Sequence, residues 1–315
     1  MRIVFFGTPD FAVASLSALV ENNFNIVGVV TMPDKKSGRG MNLQESAVKK
    51  YAIKNKLRVL QPTNLKEESF QIELKSLEPD LQIIVAFRML PSSVWQLPKH
   101  GTFNLHGSLL PNYRGAAPIN WAIINGEKET GVTTFFLEEE IDTGEIIDST
   151  KVTIGSNETA GEIHDRLMKI GAELVINTTL KIINGTISSR KQKEIVNGRK
   201  LKIAHKIFKP TCRINWQDKA SNVHNHIRGL SPYPTAFTDL KFPDGKKVTV
   251  KIFKAEKRED KLESSILKTD GKRYLFIGCA EGSIQIHELQ AAGKKRMLVK
   301  EFLQGVNLDD VIVEQ

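Results

Sequence analysis

The sequence is poor in the residues and motifs that mark several large classes of protein. Among its 315 residues only Cys212 and Cys279 are cysteines, and their spacing is neither that of a disulfide framework nor that of a metal site. No C-x-x-C or H-E-x-x-H motif occurs, so the sequence predicts no bound metal. We therefore expect a protein of the reducing cytoplasm.

Long hydrophobic runs and nucleotide-binding fingerprints are also missing. No stretch approaches the roughly 18 consecutive apolar residues that a membrane-spanning helix needs, so no membrane association is predicted. The first strand-like run leads into Gly7-Thr8-Pro9, but the G-x-G-x-x-G fingerprint and the glycine-rich P-loop are absent. A dehydrogenase or P-loop kinase thus has no supporting motif. Thr8 is instead predicted to cap the first helix, with Pro9 at its first position.

Charge is distributed unevenly along the chain. Residues 1–185 hold 19 Lys and Arg against 21 Asp and Glu, a net charge of −2, whereas residues 186–315 hold 26 against 15, a net charge of +11. Such asymmetry indicates a polyanionic partner that binds mainly to the second half. Nucleic acid is the partner that this pattern favours, although a basic surface can also serve solubility alone.

The first half predicts a parallel sheet. Continuous apolar runs alternate with amphipathic stretches that have helical periodicity, and this alternation is typical of parallel strands covered by helices on both faces. The predicted class is α/β, with a Rossmann-like, mostly parallel sheet. The predicted strands cover 2–6, 26–31, 58–61, 81–87 and 101–106.

The second half has a different character. Between 186 and 210 eight Lys and Arg accompany a single acid, Glu194, which is typical of a basic linker. Short alternating runs between Gly and Asp turns follow, and they predict a smaller OB-like β-barrel. The predicted organisation is a catalytic domain over 1–188, a linker over 189–208 and a barrel over 209–315.

Two polar side chains share one face of a predicted strand. Asn104 and His106 lie two residues apart at the end of 101–106, so both point to the same side. The carboxyl ends of parallel strands border the crevice where open α/β sheets bind ligands. Downstream, Asp142 in the segment Asp-Thr-Gly could return to this crevice. Asn, His and Asp without a nucleophile of their own suggest an acid–base and oxyanion site for a reaction in which the substrate is the nucleophile.

At these residues the sequence resembles a known family. The segment FNLHGSLLPNYRGAAPINWAIINGEKETGVT (103–133), followed by IDTGEI (141–146), is similar to the folate-dependent formyltransferases. The resemblance extends over nearly the whole chain, through FGTPDFA near the start, PDKKSGRG at 33–40, the basic linker and INW at 214–216. It is greatest to those members that formylate methionine esterified to initiator tRNA.

The resemblance implies a reaction, its co-substrate and its partner. The formyl group of 10-formyltetrahydrofolate would pass to the α-amino group of methionyl initiator tRNA, with Asn104, His106 and Asp142 as the catalytic residues. The residues implied at the folate site are Ser108, Leu109, Leu110, Pro111, Phe87, Arg88, Met89 and Ile141. Those assigned to tRNA contact, from the 32–42 loop and the linker, are Lys35, Lys36, Arg39, Arg190, Lys191 and Lys193.

One segment departs from the family pattern. Many members have a Tyr-Gly step after the strand that ends near 86, where this chain has AFRMLP with Arg88. Glycinamide ribonucleotide formyltransferases share the catalytic residues but lack a basic second domain, which argues against that assignment.

Three alternative functions remain open from the sequence. A sugar-nucleotide N-formyltransferase would keep the same catalytic residues and co-substrate, and a hydrolase could remove the formyl group from that co-substrate. A tRNA-binding module with a degenerate site is the third. Nothing in the sequence indicates an obligate interface, so a monomer is expected.

Overall fold

The computed structural model describes residues 1–37, 42–196, 198 and 200–314. They form two compact units. The N-terminal unit spans 1–115, 131–152 and 164–203, and the C-terminal unit spans 116–130, 153–163 and 204–315. The chain thus contributes three segments to each unit. The predicted boundaries at 188 and 209 stay a prediction.

The N-terminal half of the chain alternates strands and helices. Its elements are β1 Ile3–Gly7, α1 Asp10–Glu21, β2 Ile26–Val30, β3 Lys35–Ser37, β4 Asn42–Gln44, α2 Ala47–Lys54, β5 Val59–Leu60, α3 Glu68–Ser76, β6 Leu81–Val85, α4 Ser92–Trp95, β7 Thr102–His106 and β8 Arg114–Gly115. After them come α5 Pro118–Ile124, β9 Glu129–Phe136, β10 Ile146–Thr153, α6 Ala160–Ile183, α7 Gln192–Val196 and β11 Ile203–Ala204.

A seven-stranded sheet organises the N-terminal unit. Its order is β10-β9-β7-β6-β1-β2-β5. The pairs from β7 through β5 are parallel, and β9 joins β7 in the antiparallel direction. β1 and β6 are buried along their whole length, which accounts for their continuous apolar sequence. The predicted Rossmann-like sheet is confirmed.

Two local predictions need correction. The strand expected over 58–61 is reduced to β5, because only Val59 and Leu60 pair with the edge of β2. The first helix begins at Asp10 with Pro9 as its N-cap, and no side chain caps it. Thr8 is therefore not the cap, and within the described residues its buried hydroxyl oxygen has no hydrogen-bond partner.

The C-terminal unit is built mainly from antiparallel strands. After a 3₁₀ turn at Pro210–Cys212 come α8 Ala220–Leu230, β12 Ala236–Lys241, β13 Lys247–Arg258, β14 Leu267–Thr269, β15 Leu275–Gly278, β16 Ser283–Ala291, β17 Met297–Leu298, α9 Val299–Gln304 and β18 Ile312–Glu314. The sheet runs β14-β15-β16-β13-β12-β18, with β17 beside β16. These strands form the predicted small barrel, which is nearly closed.

Trp216 lies at the centre of the C-terminal core. Its side chain is fully buried among residues such as Ile252 and Ile284. The indole Nε1 donates a 3.0 Å hydrogen bond to Thr238 Oγ1, so the polar atom of this large side chain is satisfied. Among the helices of the described residues, none combines the length and apolar character that crossing a membrane requires.

Candidate active site

Strand β7 carries Asn104 and His106 to one edge of the sheet. The alternate residues Phe103 and Leu105 are buried in the apolar core, so the alternation of the strand leaves both polar side chains on the other face. β7 is parallel to β6, with Asn104 opposite Ile84. The two residues therefore lie near the carboxyl ends of parallel strands, which is where ligand sites form in such sheets.

The imidazole of His106 is buried and held from one side. Its Nε2 lies 2.8 Å from the main-chain oxygen of Tyr113. Because a carbonyl oxygen only accepts, Nε2 donates this hydrogen bond, and Nδ1 is the ring nitrogen left for other contacts. Nδ1 lies 3.9 Å from Asp142 Oδ2. The ring also packs edge-on against Phe135, with 6.4 Å between centroids.

Asp142 reaches the histidine from a separate loop. Its backbone has a φ of 55°, in the left-handed region that non-glycine residues enter at a cost. The Oδ2 atom that faces His106 also accepts a 2.9 Å hydrogen bond from the main-chain N–H of Gly115. The structure thus brings Asn104, His106 and Asp142, as predicted from sequence, into one region of the N-terminal unit.

Gln192 supports the loop that carries Asp142. Its side chain is 2% exposed. The amide nitrogen donates to the main-chain oxygens of Asp142, at 2.9 Å, and Gly144, at 2.8 Å. Its Oε1 accepts two hydrogen bonds from Arg114, at 3.0 Å from Nε and 2.7 Å from Nη2. All the hydrogen-bonding groups of this buried amide are engaged with the site or its neighbour.

Gly144, in the same loop, lies too close to the neighbouring main chain to be replaced by a residue with a side chain. A Cβ placed on Gly144 would lie 1.7 Å from the main-chain oxygen of Phe136. No side chain fits there without moving the backbone, so glycine is required by the close approach of the chain to β9.

Asn104 presents an unused hydrogen-bonding atom. Within the described residues, its buried Oδ1 has no partner. A buried acceptor without a donor is rare and costs free energy in a folded protein. An N–H group of a ligand would satisfy it, which fits a site that receives an amine.

The segment after β7 folds tightly against β9. Ser108 is fully buried, and its hydroxyl donates to the main-chain oxygen of Asn112 at 2.8 Å. Thr133 Oγ1 donates to the oxygen of Ser108 at 2.7 Å and accepts from the N–H of Leu110 at 3.2 Å. The peptide bond between Leu110 and Pro111 is cis.

The predicted folate residues in this segment have different surroundings. Leu110 packs in a small cluster with Phe135 and Ile146. The side chain of Leu109 is partly exposed and lies against Gly131. Residues 108–111 therefore form a hydrogen-bonded turn shortly after His106.

Residues 87–89, which are also predicted to line the folate site, lie in three different environments. Arg88 donates from Nη1 to the main-chain oxygen of Thr63 at 2.8 Å and from Nη2 to that of Pro62 at 2.5 Å. Burial lowers the pKa of this guanidinium. Phe87 packs edge-on to Phe6 in the core. Met89 is exposed.

Ile141, next to Asp142, is 58% exposed, although it is a large apolar side chain. An apolar surface beside a few polar groups is characteristic of ligand pockets. Ile141, like Met89, is therefore an available apolar contact among the predicted folate residues.

The residues predicted to contact tRNA are mostly exposed. Lys35 lies in the β3–β4 hairpin, whereas the side chain of Lys36 and the whole of Arg39 lie outside the described residues. Lys191 and Lys193 are exposed on either side of the buried Gln192. Arg190 is exposed too, and its main chain pairs with Ile146.

Sequence reasoning missed the supporting residues of the site. Gln192, Arg114 and the carbonyl of Tyr113 were not assigned a role, although each bonds to His106, to Asp142 or to a group that holds them. One signal was available: Gln192 is an uncharged polar residue between two lysines of a basic segment. No cluster of residues suited to a metal occurs among the described residues.

Family comparisons agree with this geometry. Residues 1–179 match the formyl transferase family, and residues 206–307 match the formyl transferase C-terminal domain. The chain is 50% identical over 312 residues to a methionyl-tRNA formyltransferase of Bacteroides fragilis, covering 98% of this chain and 96% of that protein. Identity to the methionyl-tRNA formyltransferase of Parabacteroides distasonis is 52% over 309 residues, covering 97% and 95%.

Solved structures share the fold at lower identity. WlaRD, a sugar 3N-formyl transferase crystallised with dTDP and 5-N-formyl-THF, matches with a TM-score of 0.67 and 22% identity over 94% of this chain and 99% of that chain. HypX from Aquifex aeolicus with tetrahydrofolic acid matches with a TM-score of 0.65 and 19% identity over 100% of this chain and 51% of that chain. The matches to relatives over nearly the whole chain confirm the resemblance seen in the sequence, and the chain belongs to the formyl transferase family.

Proposed function

We propose that this protein transfers the formyl group of 10-formyltetrahydrofolate to the α-amino group of methionyl initiator tRNA, for translation initiation. The observation that carries the proposal is the meeting of Asn104, His106 and Asp142 at the carboxyl end of β7. The relatives that are about 50% identical over almost the full chain bear the name of this activity. The site is proposed to work in the cytoplasm, in a monomer.

The chemistry needs no nucleophile from the protein. The amine of the substrate attacks the formyl carbon, a C–N bond forms, and the bond from that carbon to the folate nitrogen breaks. One proton leaves the amine and one reaches the departing nitrogen, so the reaction is balanced. What the protein must supply is donors for the oxyanion, a proton route and a fixed geometry.

His106 is proposed as the charged donor to the oxyanion. Its Nε2–H is occupied by Tyr113, so the proton on Nδ1 is the one directed to the site. Asp142, whose Oδ2 lies 3.9 Å from Nδ1, would stabilise the charged ring and relay the proton of the amine through water. Asn104 would add an amide donor to the oxyanion and, through Oδ1, an acceptor for the amine.

Folate is proposed to bind beside these residues. Ser108, Leu109, Leu110 and Pro111 form the turn after β7, and Ile141 offers an exposed apolar side chain next to Asp142. Phe87, Arg88 and Met89 complete the proposed site, with Arg88 acting as a brace for residues 62–63. For tRNA the proposed contacts are Lys35, Lys36, Arg39, Arg190, Lys191 and Lys193.

A sugar-nucleotide N-formyltransferase is the competing function. It is favoured only by structures of low identity, such as WlaRD at 22%. The test offers 10-formyltetrahydrofolate with a radiolabelled formyl group to the full chain, together with charged initiator tRNA or an amino-sugar nucleotide. We expect label on the methionyl-tRNA. Label on the sugar alone would refute the proposal.

A further inference from the structure

We propose that the C-terminal unit contains a binding site for a phosphate group, in a cavity that Lys128, Arg228 and Lys257 line together. The cavity has a volume of about 280 Å³. Ser156 and Ser221 also line it, and both are exposed. Three cations and two hydroxyl donors in one concave site match the chemistry of a phosphate oxyanion.

Arg228 is the fixed centre of this cavity. Its side chain, on α8, is 6% exposed. Nη1 donates to the main-chain oxygens of Gly155, at 3.2 Å, and Glu158, at 2.9 Å, and Nε donates to Asn225 Oδ1 at 2.9 Å. In the described part of the chain Nη2 has no acceptor. The guanidinium is thus preorganised, with donors left over for a ligand.

The positive charges of the cavity are not neutralised by ion pairs. Within the described residues, neither Arg228 nor Lys128 nor Lys257 forms a salt bridge with a carboxylate. Glu127 lines the cavity, and the Glu158 carboxylate nearby accepts a 2.9 Å hydrogen bond from the main-chain N–H of Gly155. The Glu158 carboxylate attracts the Arg228 guanidinium but forms no ion pair with it in the described residues, so burial still lowers the pKa of Arg228. A bound phosphate would supply a paired anion.

The pKa of His224, which also lines the cavity, is affected by the positive charges there. It lies one turn before Arg228 on the same helix and is 4% exposed. Burial, followed by the charges of Arg228 and Lys257, lowers its pKa to about 4, against the opposing effects of a hydrogen bond with the main chain of Ala255 and the charge of Glu256. The ring is therefore neutral near pH 7, and the surrounding charge favours an anion.

The phosphate could come from two sources. One is a backbone phosphodiester of RNA, and this use rests on the proposed function. The other is free phosphate or a phosphate monoester. Lys128 and Lys257 are both exposed and lie at the rim, so either source can reach Arg228.

The test compares two charge-matched double variants of the full chain. Lys128→Glu/Lys257→Glu removes the rim of the cavity, and Lys268→Glu/Lys300→Glu changes two exposed lysines of the same unit that do not line it. Both alter net charge equally. Arg228 is left intact because its three hydrogen bonds support the fold.

The first measurement titrates inorganic phosphate and follows the histidine ring resonances by NMR. That of His224 is identified by its loss in His224→Gln. We expect a saturable shift of this resonance in the wild type and the control, and none in Lys128→Glu/Lys257→Glu. This measurement does not depend on formyl transfer.

The second measurement is the salt dependence of tRNA binding. The cavity variant should lower the slope of log K against log salt by about 0.9 for each phosphate that the protein no longer neutralises, beyond any change in the control. A response to phosphate alone identifies a free-phosphate site, and a response to tRNA alone identifies an RNA backbone site. Equal behaviour of the two double variants in both measurements would overturn the proposal. Failure of the wild type to formylate tRNA would affect only the proposed function.

Discussion

Gln192 donates a 2.9 Å hydrogen bond from its side-chain amide to the main-chain oxygen of Asp142. The two residues lie 50 positions apart in the sequence. Asp142 has a left-handed backbone, which is maintained only when its surroundings hold it. Gln192 supports the main chain of Asp142, although the residues next to Gln192 in sequence, Lys191 and Lys193, are exposed. The loop that carries Asp142 therefore depends on a residue from a different segment of the chain.

Replacing Gln192 with Leu should lower kcat with little effect on the KM for folate. Leu keeps the volume but removes both amide donors, so Asp142 loses its fixed position. We expect a fall in kcat of about 10- to 100-fold, since small misplacements of catalytic groups have effects of this size. Steady-state formyl transfer measures it.

A double-variant cycle separates positioning from general damage. If Gln192 acts through Asp142, Gln192→Leu should cost almost nothing further in an Asp142→Asn background. Multiplicative losses in the double variant would show that Gln192 affects activity by another route.

Replacing Asp142 with Asn should nearly abolish turnover while the protein stays folded. The amide oxygen of Asn can still accept the hydrogen bond from Gly115, but the negative charge facing His106 is lost. We expect a rate loss of at least about 100-fold. Single-turnover formyl transfer and thermal unfolding are measured together. Asp148→Asn, which changes the partner of Lys181, is the control and should stay active. Full activity of Asp142→Asn would remove this residue from the mechanism.

Two replacements of His106 test the role of each ring nitrogen. Gln places an amide near the position of Nε2 and can keep the bond to Tyr113, whereas Asn places one near Nδ1. Both should lose on the order of 100-fold or more in rate, because neither can carry the positive charge. His106→Gln should unfold closer to the wild type, because it preserves the buried hydrogen bond. A Gln variant with wild-type turnover would contradict the proposed role of Nδ1.

Neutralising the linker cations should weaken tRNA binding. Changing Arg190, Lys191 and Lys193 to Gln should flatten the salt dependence by about one unit of slope for each phosphate that these side chains neutralise in the wild type. Lys66, Lys75 and Lys99, which are also exposed, provide a control with the same change in net charge. Binding is measured over a range of salt concentrations. An unchanged slope would show that the linker does not bind phosphates.

Stability of the C-terminal unit should fall as the pH drops below neutrality. The pKa of His224 is about 4 in the folded protein and about 6.5 when unfolded. Between these values the unfolded chain binds the extra proton, so acid favours unfolding. The loss amounts to about 3 kcal/mol by pH 4.

Denaturant unfolding of the wild type and His224→Gln from about pH 7.5 to about pH 4 tests this. The wild type should lose more stability over that range than the variant, with most of the difference arising below about pH 6.5. His226, whose pKa burial also lowers, is present in both proteins and cancels in the comparison. Parallel curves would show that His224 does not contribute.

Strand periodicity was enough to predict part of the site. Asn104 and His106 share a face because a strand repeats every two residues, and the apolar residues beside them fix which face is buried. The class of the sheet followed from its continuous apolar strands in the same way. These features are local, so short-range sequence patterns contain them.

Arg88 illustrates what local patterns do not contain. Its place after β6 was evident, but the guanidinium bonds to carbonyl oxygens 25 and 26 residues earlier in the chain. The length of the edge strand β5 was also not predicted, because it depends on how many of its residues pair with β2. Contacts between distant segments depend on how the elements pack.

The sequence by itself determined the α/β class, the basic second half and the Asn, His and Asp residues that are proposed as catalytic, because each of these is expressed in composition, periodicity or a contiguous motif. Only the tertiary structure decided that Tyr113 fixes the tautomer of His106 and that Gln192 supports Asp142. It also decided that Arg228 stands in a cavity with Lys128 and Lys257. Hydrogen bonds and charges act over a few ångströms in space, whatever the distance along the chain.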